Sequence, residues 1–409
     1  MSRVPLPKSI LDTDLYKMTM QQAVLHHFPN VQGSYKFTLR DKSALFTRHS
    51  VEIFQDTVNR FGELVLSDDE LVWMRTACPY FTDAYLNHLK GFRFDPVGQV
   101  RIRFVPSASD PDRGHVDIDI EGPWVDTILW EVPLMATLSE VYFTLVDTEW
   151  NYEGQADLAF EKGLALLKND CVFSEFGTRR RRSFEAQDIV VQGLVKACNE
   201  QPSQGRLAGT SNVYLAYKHR LVPVGTIAHE WFMGIAALRG YENANSLAMD
   251  LWEEVYPKAL LIALTDTFSS KAFFQNYVGD KERANRWQGL RQDSGDPFEF
   301  GLRCKSVFES LGIDPKSKMI IYSDALDIEK SVRLKKQADE IGLNVSFGIG
   351  TFLTNDFKNL SGKKSKALNM VIKLSSADGR PCVKISDDLT KNTGDSETVR
   401  LVKKIFDLQ

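Results

Sequence analysis

Apolar and polar positions alternate in two different rhythms, and the change falls near residue 124. Before it, Tyr35, Phe37 and Leu39 share one face of Gly33–Arg40, Val100, Ile102 and Phe104 alternate with Arg101 and Arg103, and 116–120 alternates again. Period-two spacing with one polar face predicts strands of an antiparallel sheet that is solvated on one side. Residues 9–17 lead into an expected amphipathic helix that runs to about Phe28, with Thr13 or Asp14 as its N-cap. Residues 51–90 predict helical pieces broken at Gly62, Pro79 and Gly91, and 107–114 (SASDPDRG) predicts a turn-rich loop.

From Trp124 onward, short apolar runs alternate with helical stretches, the rhythm of βα units. Seven runs, at 171–173, 206–208, 222–224, 259–264, 287–290, 319–322 and 344–347, each end in a polar turn rich in Gly, Ser, Thr, Asp or Arg. Parallel strands bring such turns to one face, where barrel enzymes carry their catalytic groups. The expected fold is therefore an α/β chain with an irregular (β/α) barrel, short of eight strands, ahead of an open doubly wound sheet. The tail returns to strand texture at 367–374, a hairpin turn containing Asp378-Gly379, and 382–385, which together predict a return to the N-terminal sheet. The polar tracts 359–366 and 387–396 predict exposed loops.

At 409 residues the chain is long enough for two units. The expected division is 1–123 plus 355–409 for an α/β sandwich and 124–354 for the barrel that holds the site. A net charge of −4 argues against broad binding to nucleic acid or a membrane surface, so any anion site has to be local. Ala259–Leu264 reads as the longest strongly apolar run, too short to span a bilayer, and no signal core follows Met1. Five scattered cysteines without metal-ligand spacing predict reduced thiols in the cytoplasm.

Candidate chemistry lies in the turns. His229 follows Gly225-Thr226 where a strand gives way to a helix, a corner suited to anions and to an adjustable imidazole. Gly348-Ile349-Gly350-Thr351 offers backbone donors and a hydroxyl for a phosphate. Arg291-Gln292-Asp293-Ser294-Gly295-Asp296 places a guanidinium and two carboxylates in a constrained turn, suited to ribose hydroxyls, a metal ion or both. Arg179–Arg182 puts four cations at an expected helix start, which disfavours them unless an anion is near.

LDTDLYKMTM at the start, WVDTILWEVPL, FSEFGTRRRRS, GTSN, PVGTIAHEW, ALTDTF, RQDSGDP, YSDALD and FGIGTFLTNDF together resemble the nicotinate phosphoribosyltransferase family, in its fungal and bacterial type, over nearly the whole chain. The resemblance implies an irregular α/β barrel of the type II phosphoribosyltransferase kind, an N-terminal α/β sandwich completed by C-terminal strands, and a homodimer with shared active sites. It implies transfer of phosphoribosyl from phosphoribosyl pyrophosphate to nicotinate, coupled to ATP hydrolysis, with Mg²⁺ assisting loss of pyrophosphate.

By position, His229 resembles the histidine that ATP phosphorylates, with Glu230 tuning or orienting it. Phe176 and Tyr16, the latter from the partner subunit, resemble the rings that sandwich the pyridine. Arg179 resembles a ligand of the substrate's anionic group. Arg291 and Asp293 match residues on base and ribose, and Asp293 or Asp296 stands near the implied Mg²⁺. Ser323, Asp324, Gly348, Gly350 and Thr351 fall on the turns that receive the 5′-phosphate and ribose, while Arg40 and Lys42 of a partner subunit fall near pyrophosphate. Relatives that use nicotinamide carry an aspartate after the Gly-Thr turn; here Gly209-Thr210 is followed by Ser211, which would not repel nicotinate. The other readings are an acceptor such as nicotinamide or quinolinate, and a catalytically silent nucleotide-binding barrel.

Overall fold

The computed structural model describes residues 4–201, 205–388 and 392–408. The first three residues and the part of the predicted 387–396 loop at 389–391 lie outside the described residues. The strands are Gln32–Leu39 (β1), Phe46–Thr47 (β2), Val100–Pro106 (β3), Arg113–Pro123 (β4), Val172–Glu175 (β5), Arg206–Thr210 (β6), Ile262–Leu264 (β7), Gly289–Gln292 (β8), Met319–Tyr322 (β9), Asn344–Ile349 (β10), Met370–Ala377 (β11) and Arg380–Pro381 (β12).

They form two sheets. The first has the order β12-β11-β1-β4-β2, with β3 also on β4, and every pairing is antiparallel. The alternation read at 33–40, 100–104 and 116–120 is thus the alternation of β1, β3 and β4. The tail rejoins this sheet as predicted: β11 pairs with β1, and Asp378 and Gly379 both take positive φ in the turn to β12, as a two-residue hairpin requires.

The second sheet is parallel, with the order β6-β5-β10-β9-β8-β7. Its first strand in the chain, β5, pairs with its last, β10, and the other pairings join chain neighbours. Six of the seven predicted strands form. The seventh, 222–224, is reduced to one bridge between Thr210 and Pro223, because proline has no N–H to continue a ladder. Among the described residues no ladder joins 222–224 to β7.

The helical pieces at 51–90 appear as Arg48–Asn59, Asp68–Ala77 and Asp83–Gly91, started by Thr47, by a Ser67/Glu70 capping box and by Thr82. The helix at Leu15–His27 departs from the amphipathic expectation: Leu15 and every residue from Lys17 to Val24 are buried. Its polar positions are buried because each meets a partner, as when Gln21 donates to the Val125 carbonyl and accepts from Tyr85. Trp124–Leu145 was also misjudged by the search for long apolar runs. It is long and apolar enough to cross a membrane, yet 78% of its most apolar window is buried inside the protein, the pattern of a core helix apolar on all sides.

Residues 382–385 are not the predicted strand. Cys382 N still donates to the Ser375 carbonyl of β11, after which the segment leaves the sheet, Lys384 bridging to Thr393 and Ile385 N donating to the Thr267 carbonyl. The start of the 387–396 tract is correspondingly not an exposed loop: Asp387 is half-buried and accepts from Ser270 N at 2.6 Å. The tract 359–366 is largely exposed, as predicted.

Candidate active site

The turns after the parallel strands meet at one end of the sheet. His229 opens the helix His229–Arg239. Its Nδ1 lies 3.1 Å from Thr267 Oγ1, and its Nε2 lies 3.0 Å from Asp293 Oδ2 and 2.9 Å from Lys384 Nζ. One ring nitrogen thus faces an acceptor and a donor together. A protonated Nε2 satisfies Asp293, and an unprotonated one satisfies Lys384, so the tautomer decides which ring nitrogen carries the free lone pair. Burial and then the Lys384 charge hold the imidazole below its ordinary pKa, against the pull of Asp266 and Asp293. The ring is therefore held toward its neutral, nucleophilic form.

Asp293 is braced from three sides. Arg291 Nη2 donates to Oδ1 at 3.3 Å and Ser323 Oγ at 2.7 Å, while Arg291 Nε donates to Ser323 Oγ at 3.0 Å. Although burial raises it, Arg291 and His229 bring the Asp293 carboxyl well below the usual range. Asp324, next along, is pushed up by burial and by Asp293. Asp296 is elsewhere engaged: its carboxylate caps the helix Pro297–Ser310 by accepting from Phe298 N and Glu299 N. Both bonds fall on Oδ1, and Asp266 is a further candidate metal ligand. One ligand atom each from His229, Asp266 and Asp293 lies within 4.8 Å of the others. Asp266 Oδ2 accepts from Ser294 at 2.6 Å and lies 3.2 Å from Lys384, whereas the buried Oδ1 accepts no hydrogen bond among the described residues. A buried carboxylate oxygen without a donor suits a hard divalent cation.

The ends of β5 and β6 form the neighbouring wall. Glu175 is fully buried, accepts from Gly177 N, from Gln187 at 2.9 Å and from Thr210 Oγ1 at 2.6 Å, and is pushed up by burial. Thr210 is therefore tied to the scaffold. Ser211 Oγ donates to Asp14 Oδ1 at 2.7 Å, and burial raises Asp14. Residue 211 is itself no carboxylate, but Asp14, brought from the N-terminal segment, accepts from its hydroxyl and so stands beside this turn. Leu15 N donates to the Ser211 carbonyl, which holds the start of the helix that carries Tyr16 beside this turn.

The four arginines do not start a helix. Thr178–Arg180 is a 3-10 turn, and the helix begins after Ser183, so the predicted conflict with the helix dipole does not arise. Each arginine has its own surroundings. Arg179 donates to Glu131, Arg180 to the Met370 carbonyl, Arg181 to Asp12 through two bonds, and Arg182 to Asn355. Arg182 also lies over Phe143 and Phe357, at 4.0 and 4.4 Å from the ring centres. Glu230 points away from His229 and accepts from Lys17, Tyr35 and Trp124; it does not orient the imidazole through its side chain.

Phe176 lies over Gly348, where a Cβ would overlap the ring, and its N–H donates to the Ile349 carbonyl at 2.8 Å. Gly348 is thus needed for the ring, and Gly350 caps the short helix Thr351–Thr354. Arg40, exposed at the end of β1, acts within its own chain on Arg180 and Lys373. Burial, then Lys384 and Arg40, push Lys373 down to about 8, and burial with Arg179 and Arg40 brings Arg180 to about 10. The pull of Glu131 on both, and of Asp266 on Lys373, does not offset these effects. Lys42 is exposed and makes no hydrogen bond or ion pair among the described residues.

Two family models match, the nicotinate phosphoribosyltransferase N-terminal domain over residues 11–139 and the nicotinate phosphoribosyltransferase family over 171–409. The chain belongs to the nicotinate phosphoribosyltransferase family. A nicotinate phosphoribosyltransferase of Methanosarcina acetivorans is 43% identical over 97% of this chain and 98% of its own length. One from Saccharomyces cerevisiae is 40% identical over 98% of this chain and 95% of its own. A Saccharomyces cerevisiae crystal structure of the family matches with a TM-score of 0.96 and 38% identity over 100% of both chains.

Sequence reasoning missed Lys384, Lys373 and Asp266. Asp266 stood in a recognised turn, but neither lysine had a signal beyond being a lone cation in an apolar run.

Proposed function

We propose that the protein transfers phosphoribosyl from phosphoribosyl pyrophosphate to nicotinate, giving nicotinate mononucleotide and pyrophosphate, and couples this to ATP hydrolysis through phosphorylation of His229. The observation that carries the coupling is the setting of His229: an imidazole held toward its neutral form among Lys384, Asp266 and Asp293.

In this reading Phe176 and Tyr16 stack the pyridine and Arg179 pairs with its carboxylate. With Asp14 on Ser211, the preference for an acid over an amide rests on Arg179. Arg291, Asp293 and Ser323 hold the ribose, while Asp324, Gly350 and Thr351 border its 5′-phosphate. Arg40, Arg180, Lys373 and Lys384 stabilise charge on the departing pyrophosphate, and positioning and charge stabilisation carry most of the catalysis. Asp266 and Asp293 would hold Mg²⁺, which would supply neutralisation of phosphate oxygens when bound. The circular order of the parallel strands supports an irregular barrel over 124–354 with a sandwich of 1–123 and 355–409. Homodimer assembly and a cytoplasmic location belong to the same proposal.

The test is pyrophosphate release from phosphoribosyl pyrophosphate with nicotinate, with and without ATP, alongside acid-labile labelling by [γ-³²P]ATP. His229→Ala is expected to lose the label and the ATP stimulation while retaining slow ATP-independent transfer. ATP stimulation that survives in His229→Ala would refute the coupling, and turnover of nicotinamide or quinolinate in place of nicotinate would refute the acceptor.

A further inference from the structure

A row of alternating charges runs through the interior from the Arg179 turn to the first turn of the His229 helix. Arg179 Nη1 donates to Glu131 Oε1 at 3.1 Å, Glu131 Oε2 pairs with Lys17 Nζ at 2.6 Å, and Lys17 Nζ donates to Glu230 Oε2 at 2.5 Å. The remaining oxygen, Glu230 Oε1, accepts from Tyr35 Oη at 2.5 Å and Trp124 Nε1 at 2.9 Å. Lys17 is wholly buried and both glutamates nearly so. The four charges come from four elements: the turn after β5, the helices Glu131–Leu145 and Leu15–His27, and the helix His229–Arg239.

Two positive and two negative charges cancel, and each carboxylate oxygen has a donor. Packing alone does not call for such a row, since apolar residues of similar volume generally fill buried sites at no loss of stability. Its outer end is Arg179, whose only hydrogen bond among the described residues is the one to Glu131. A guanidinium has five donors in a fixed fork, so Arg179 keeps most of its fork for a ligand.

We propose that Lys17 is a positioning residue for the acceptor: by neutralising Glu131, it leaves the Arg179 guanidinium available to the carboxylate of an anionic pyridine. The inference rests on the function proposed above. Without Lys17, Glu131 carries an uncompensated charge and draws Arg179 into a two-point pair, the favoured geometry of arginine with carboxylate. The ligand then meets fewer free donors and less positive charge. The loss falls on acceptor binding, not on the ATP step.

Wild type, Lys17→Met, Glu131→Gln and the double variant are compared in KM for nicotinate, KM for phosphoribosyl pyrophosphate, kcat and Tm. Lys17→Met is expected to raise KM for nicotinate about tenfold or more, the worth of a charge-assisted hydrogen bond, with KM for phosphoribosyl pyrophosphate within about twofold. Glu131→Gln removes the competing charge and lowers KM for nicotinate or leaves it within about twofold, and the double variant returns it to within about threefold of wild type. A Lys17→Met KM within about twofold of wild type, or a double variant that keeps the full loss, overturns the proposal. If Lys17→Met does not fold, a rise of about tenfold in either variant carrying Glu131→Gln overturns it. If wild type does not transfer to nicotinate, the functional reading fails, and calorimetric binding of nicotinate to the same four proteins decides the role of Lys17 by the same ratios.

Discussion

Lys384 Nζ lies 2.9 Å from His229 Nε2 and 3.2 Å from Asp266 Oδ2. The ammonium stands between a nucleophilic ring and a carboxylate, in the place of a small cation. It opposes protonation of the ring, and it offers a countercharge to any anion the ring acquires.

Lys384→Met should raise the His229 pKa, because burial alone then opposes the pull of Asp266 and Asp293. An NMR titration of the His229 ring is expected to move to a higher midpoint, and the acidic limb of phosphorylation should move with it. The stability linkage follows the same sign. A histidine depressed below about 6.5 contributes stability that is fully present above that pH and is lost as pH falls through the folded value. That loss should be smaller in Lys384→Met. An unmoved titration midpoint would show that Lys384 does not act on the ring.

Lys373, brought down to about 8 by burial and by neighbouring cations, should recover its proton when an anion binds. Pyrophosphate binding measured near pH 8 in buffers of different ionisation enthalpy is expected to show proton uptake. Affinity should fall as pH rises through 8, since the deprotonated lysine no longer attracts the ligand. Lys373→Met should abolish the uptake and weaken binding by about tenfold, as for one charge-assisted hydrogen bond. Binding without proton uptake would remove Lys373 from the anion site.

These two lysines mark the limit of what was legible in the chain. The rhythm of apolar residues gave β1, β3, β4 and six parallel strands, because each of those pairs along a continuous ladder and buries one or both faces. It overread 222–224 and 382–385: Pro223 lacks the donor that a ladder needs, and beyond Cys382 the tail bonds to the Thr393 and Thr267 carbonyls instead of to β11. The turns that carry His229, Arg291 and Asp293 were visible because polar residues collect where strands end. Lys384 and Asp14 reach the same place from distant segments, and their proximity exists only in three dimensions. Asp296 is ambiguous for the opposite reason, since an Asp before Pro at a helix start reads equally as cap or ligand, and the structure shows the cap.

Gly348→Ala should separate the acceptor pocket from the fold. The added methyl overlaps the ring of Phe176, which is only partly buried and is expected to shift. A small loss of stability, about 1 kcal/mol, is expected, together with a clear rise in KM for the pyridine acceptor as the stacking face moves. A large fall in Tm with KM unchanged would show that the ring is fixed and serves packing alone.

The Asp12–Arg181 pair bears on the turn after β6. Arg181 Nη1 and Nη2 donate to the two Asp12 oxygens at 2.7 and 2.8 Å, and Asp12 Oδ1 also accepts from Asn212 Nδ2 at 2.9 Å. Asn212 in turn caps the helix Val213–His219, so the pair holds the turn that presents Thr210 and Ser211. Asp12→Ala strands a guanidinium that is 3% exposed and should cost about 3–5 kcal/mol in urea unfolding. Replacing both partners, Asp12→Leu with Arg181→Met, should recover most of that stability, because no charge is then left uncompensated. The wild-type contribution also has a pH signature. Burial raises the Asp12 carboxyl but Arg181 outweighs it, leaving the pKa below its ordinary value. Stability from this group is therefore present above about 3.9 and drains away as pH falls through the folded pKa. The double apolar variant should lack that component of the acid limb, and an acid limb identical to wild type would place the loss on other carboxylates.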